Sequence, residues 1–256
     1  MHVLGVLNFP PIGELIDWKH FGPLGFNKTA LIDLLATVIT LSFFFLAARK
    51  KELVPRGIQN IAESAIDFIT DGIILQTIGP DGMGFLPFLL ALFCFIFVTN
   101  IFEIVPIFQF PANARIANPL FLAIIVWILF MYIGFTRQGF RGYLRNSLFP
   151  PGVPKALYIL VTPIEFLSTF LVRPFSLAIR LFANMLAGHL LLVTFALLTD
   201  ALLFHNTIVI LKPLFVLPAA MGVAVMGFEL LVCALQAFIF TILTAVYIGG
   251  AMHPEH

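Results

Sequence analysis

Two apolar stretches near the end of the chain, residues 157–203 and 208–252, constrain the fold more than anything else in the sequence. Each is roughly twice the ~20 residues that cross a bilayer upright. Either each stretch is two short spans, or each is one long helix lying strongly tilted. Neither holds a central polar turn, and the clear break falls between them, around Asp200 to Asn206. The sequence therefore favours two long tilted helices packed as a hairpin, with Pro163, Pro174, Pro213 and Pro218 as kinks or surface breaks.

The rest of the chain fits the same solvent. Apolar runs at 29–48, 84–105 and 116–136 are each long enough for one span. Segment 57–76 differs: Ile58, Ile61, Ala62, Ala65, Ile66, Ile69 and Ile73 follow helical spacing, with Gln59, Glu63, Asp67, Thr70 and Asp71 on the other side. That pattern predicts an amphipathic helix lying on the membrane surface. Of the 256 residues, 61% are hydrophobic and 11% charged, against about 25% charged in a typical soluble domain. The expected fold is an all-α integral membrane domain over 1–256, with about five transmembrane helices and one surface helix.

Charge sets the expected topology. Arg49, Lys50, Lys51 and Arg56 form one cationic loop, and residues 137–156 carry Arg137, Arg141, Arg145 and Lys155 with no acid. Cationic loops stay cytoplasmic. Five spans then place the N-terminal segment 1–28 outside and the C-terminus inside. No signal or transit peptide is read at the N-terminus. A net charge of +1 gives no general affinity for nucleic acid. Cys94 and Cys233 sit in apolar runs without metal-ligand spacing, so neither a metal nor a cofactor is expected.

Ionisable groups at bilayer depth carry the functional signal, since a central arginine costs about 2.5–3.5 kcal/mol on insertion scales. Arg180 has apolar sequence on both sides. At 100° per residue its face also holds Glu165, Thr169, Arg173, Ser176, Asn184 and Ala187. Asn184, one turn on, can orient its guanidinium, whereas His189 points the opposite way. Glu229 and Gln236 share a face of the last helix, which Ala219 and Gly222 extend for close helix approach. Arginine stays protonated, so it attracts a carboxylate and blocks a proton path without relaying protons. His189 and Glu229 can relay them. The alternative is structural: Arg180 pairs with Glu229 or Glu165 to tie helices together. Glu103 reads as a group at the outer interface.

The segment RLFANMLAGH, residues 180–189, resembles the signature of subunit a of the F-type ATP synthase. RPFSLAIR (173–180) and ELLVCALQAFIFTILTAVYI (229–248) resemble the flanking helix and the C-terminal helix of that family. The resemblance runs from about Leu34 onward and leans toward bacterial, in particular actinobacterial, members. It implies a non-catalytic, proton-translocating stator subunit in the bacterial plasma membrane, with the c-subunit ring, b-type peripheral stalk subunits and lipid as partners. Arg180 matches the essential arginine that would ionise ring carboxylates and stop protons leaking between two aqueous half-channels. Asn184 and Gln236 match polar positions beside it. His189 and Glu229 match a His/Glu pair of the outer half-channel, and Glu165 matches a position on the inner one. Ala183 stands where the family often has Gly, Glu103 where a small residue is frequent, and Arg115 is an unusual charge. A secondary transporter would favour paired repeats, and a haem-bearing subunit would want paired axial histidines. The sequence shows neither. It also lacks a phosphate-binding glycine loop of the Walker type.

Overall fold

The computed structural model describes residues 28–49, 56–105, 112–149, 157–205 and 209–252. Among these residues every regular element is helical. The N-terminal segment, Lys50, Lys51, Lys155 and the C-terminal tail lie outside the described residues, apart from Lys28, which begins the first helix.

Helix α1 (Lys28–Arg49) ends on Arg49, whose charge complements the helix C-terminus. Helix α2 (Ile58–Ile69) runs on through a π-helical turn, Thr70–Ile74. It sends Ile69, Ile73 and Ile74 into the core, while Asp67 and Asp71 stay exposed. Pro80–Phe85 forms a 3₁₀ turn leading into α3 (Leu86–Ile104), with a proline in its first turn. Pro is tolerated there because that N–H has no intrahelical partner. Helix α4 (Ala117–Gln138) follows.

The cationic loop after α4 contains a helix that the sequence reading did not anticipate, α5 (Phe140–Leu148). It is amphipathic on a short scale: Arg141 and Arg145 face out, and Tyr143 is buried against α4, where Gly134 leaves room for its ring. Two short turns are too few for apolar periodicity to show in the sequence.

The first long apolar stretch is α6 (Tyr158–Leu167), a π-helical segment Ser168–Val172, and α7 (Arg173–Asp200). Pro163 lies inside α6 and Pro174 in the first turn of α7. The second is a 3₁₀ segment, Val209–Phe215, containing Pro213, and then α8 (Val216–Met252). Five stretches among the described residues are long and apolar enough to cross a membrane, the last two being 47 and 41 residues. At 1.5 Å per residue these two run about 60–70 Å, so neither fits upright in a hydrocarbon core of ~30 Å.

α3, α4, α7 and α8 build one core around Leu89, Ile96, Val126, Phe130, Leu181 and Ile248. α1 joins through a smaller cluster of Ile32, Ala36, Phe102 and Ala112. The Gln138 side-chain amide donates to the Ala251 carbonyl at 2.8 Å, tying the end of α4 to the end of α8. At the opposite end, Lys28, Ile104, Asp200 and Pro218 border one cavity. The helix termini thus sort into two ends, and Arg137, Arg141 and Arg145 belong to the end away from the cavity.

A buried ionisable cluster and an outward arginine

Helix α7 has two unlike faces. Leu177, Ala178, Leu181, Met185, Gly188 and His189 are buried. Ala183, Asn184 and Ala187 are exposed, and Arg180 is half-buried at their edge. Nine residues separate Arg180 from His189, which is half a rotation of the helix. The predicted opposition of these two residues is therefore present. In α8, Glu229, Cys233, Gln236 and Ala237 face inward, and Leu230, Leu231, Ala234 and Leu235 face out.

The predicted polar stripe on the face of Arg180 is interrupted at Thr169. It assumed 100° at every residue, but the π-helical Ser168–Val172 shifts the two sides by roughly one residue's rotation. Thr169 is buried as a result. Glu165 is half-buried in α6, and 24 residues of helix place it ~36 Å along the axis from His189. It does not join the other predicted residues.

His189 meets an unexpected partner. Its Nδ1 lies 3.7 Å from Oε1 of Glu103, on α3. Glu103 is 2% exposed, so it is enclosed by the protein and does not face lipid or open solvent. The face it shares explains this: Leu92, Ile96, Thr99 and Asn100 precede it at helical spacing and are all buried. That periodicity was present in the sequence, and one acidic residue near the end of a span masked it.

Glu229 completes the cluster. Its carboxyl group rests on Gly188, where an added Cβ would fall on the carboxyl atoms. Glu229 and Glu103 are close enough for their charges to interact. Both oxygens of Glu103 and Oε2 of Glu229 are buried without a hydrogen-bond partner among the described residues. Unsatisfied buried carboxyl groups are costly and mark function more often than packing.

A side-chain network braces the turn that carries Glu103. Asn113 donates to Asn100 at 2.6 Å and to Thr99 at 3.1 Å. Asn118 donates to Asn113 at 2.9 Å and to Asp33 of α1 at 3.1 Å. Three helices and the connection Ala112–Ala114 are thereby joined through one amide chain.

A cavity of ≈ 690 Å³ opens between the second half of α7 and the start of α8. Glu103 and His189 lie at its inner end, and Lys28 and Asp200 lie where the helices end. Phe195, Ala196, Ala219 and Gly222 form part of its walls. It is large enough for several waters. Among the described residues no group of His, Cys, Asp and Glu is arranged to hold a metal ion.

Arg180 makes no hydrogen bond or ion pair among the described residues. Gly188 faces Glu229, and the Arg173 guanidinium lies over the Tyr247 ring at 5.3 Å. This antiparallel register sets Gln236, buried on α8, level with Leu181–Asn184.

The fold and site define a multi-pass membrane protein. Three ionisable side chains are buried inside it, two of them at the end of a cavity, and an arginine stands at the edge of the exposed face of α7. The chain belongs to the ATP synthase A chain family, whose profile matches residues 30–249. It is similar to the ATP synthase subunit a of Frankia alni, 44% identical over 258 residues, covering 96% of this chain and 87% of that one. It is also similar to the subunits a of Rhodococcus erythropolis (42% identical; 99% and 91% covered) and Streptomyces lividans (38%; 100% and 92%). Family and relatives place the chain among the membrane-sector subunits of ATP synthase.

Proposed function

We propose that the chain is the proton-conducting stator of the ATP synthase membrane sector, with Arg180 as the fixed cation between two half-channels. One observation carries this reading: Arg180 stands without a partner among the described residues on the outward face of α7, while His189, Glu103 and Glu229 cluster on its inward side. The cavity is the outer half-channel. Protons enter past Lys28 and Asp200 and are exchanged among Glu103, His189 and Glu229. They then reach a carboxyl group on a ring of c subunits seated against α7 and α8. Asn184 and Gln236 orient the Arg180 guanidinium. Glu165 lies on the inner half-channel.

Arg180 does not relay protons, because guanidinium keeps its proton at any physiological pH. It holds the passing ring carboxyl ionised and blocks direct flow between the half-channels. One charge moved across 100 mV supplies about 2.3 kcal/mol, so several protons are needed per ATP. The cavity end of the helices is the outer side of a bacterial plasma membrane, with the C-terminus cytoplasmic. The subunit itself does no ATP chemistry and works with the c-ring and a b-type peripheral stalk.

Disulfide trapping tests the assigned face. Ala183→Cys and Ala187→Cys, both on exposed positions, are expected to cross-link to a cysteine beside the ring carboxyl. Ala178→Cys, at a position 0% exposed, is not. Cross-linking by Ala178→Cys alone would sink the assignment.

A further inference from the structure

Arg173 begins α7 where the π-helical segment Ser168–Val172 ends. A π-helical turn carries one residue more than a regular turn, so the residues after it are rotated by about 100° relative to an unbroken α-helix. The direction of Arg180 therefore does not follow from α6 by regular helix geometry, and a contact that anchors the rotation of α7 sets it.

The guanidinium carbon of Arg173 lies 5.3 Å from the centroid of the Tyr247 ring on α8. That is within cation–π range, where arginine on an aromatic face is favoured. Tyr143, buried on α5, is within electrostatic reach of the same guanidinium. The charge is thus held against α8. Seven residues of regular helix separate Arg173 from Arg180, two turns less about 20°, so the two arginines leave α7 on the same side.

We propose that the Arg173–Tyr247 pair is a clamp that fixes the rotation of α7 against α8 and so sets the direction in which Arg180 points. Arg173 is then a positioning residue. It touches no transported proton and acts through the rotation of α7. This rests on the reading of Arg180 given above.

The test uses the whole complex in inverted membrane vesicles and reads ATP-driven proton pumping per assembled complex, with assembly taken from native gels. Tyr247→Phe and Tyr247→Trp keep an aromatic face and are expected to pump within about two-fold of the parent. Tyr247→Leu keeps apolar bulk without a ring and is expected to lose roughly three-fold or more, the weight of a partly desolvated cation–π contact. Arg173→Gln should fall with it, and the double variant should be no lower than either single one. Equal pumping by Tyr247→Leu and Tyr247→Phe overturns the proposal. So do losses that multiply in the double variant, and so does failure of both Tyr247→Leu and Arg173→Gln to assemble, which would make the pair a folding contact. Arg180→Ala is run alongside. If it pumps normally, the reading of Arg180 fails; if it is dead while Tyr247→Leu pumps normally, only the clamp fails.

Discussion

The carboxyl group of Glu229 rests on the bare Cα of Gly188, so α8 presents its acid to α7 at the one position in that turn without a side chain. His189 is the next residue on α7 and faces Glu103 at 3.7 Å. A glycine and a histidine side by side thus place two carboxyl groups and an imidazole in one buried cluster.

Gly188→Ala should therefore impair proton flux without preventing assembly. Alanine favours the helix by up to about 1 kcal/mol, so α7 still forms. Its Cβ displaces the Glu229 carboxyl, and ATP-driven pumping is expected to fall roughly ten-fold, the effect of about 1.4 kcal/mol on a barrier. Combining it with Glu229→Asp, one methylene shorter, should recover part of the loss. Normal pumping by Gly188→Ala alone would show that the carboxyl's place is unimportant.

Glu103→Gln preserves shape and removes the ionisable group. If Glu103 exchanges protons with His189, pumping per assembled complex should drop by about a hundred-fold, the lower end for loss of a general acid–base group. Glu103→Asp should retain more activity than Glu103→Gln. A Gln variant that pumps like the parent would make Glu103 a packing residue.

Asn113→Ala removes the centre of the amide network and leaves Asn118, Asn100 and Thr99 short of a partner. Unsatisfied buried amides cost about 1–3 kcal/mol each. The purified complex should lose this subunit at a lower temperature than the parent, as followed by native gels after heating. Asn118→Ala, nearer the surface, should cost less. An unchanged dissociation temperature for Asn113→Ala would argue that the network is incidental.

Much of this architecture was legible in the sequence for a plain physical reason. In lipid the backbone must satisfy itself, so long apolar runs become helices and their lengths can be counted. The opposition of Arg180 and His189 followed from nine residues of regular helix. What stayed hidden depended on departures from that regularity or on contacts between distant segments. The π-helical Ser168–Val172 looks like any apolar run, yet it turned Thr169 out of the predicted stripe. The burial of Glu103 was not read, although Ile96, Thr99 and Asn100 mark its face as buried. Helix α5 was too short to announce itself. The Glu229–Gly188 contact needs the antiparallel register of α7 and α8, which no local pattern contains.

The central claim is that Arg180 is a fixed gate between two proton paths, and proton-driven ATP synthesis in vesicles carrying Arg180→Ala tests it most directly. The account predicts an assembled complex that makes no ATP from an imposed gradient. It also predicts faster passive proton leak once the catalytic head is stripped from the membrane. ATP synthesis at the parent rate by the Arg180→Ala complex would contradict it.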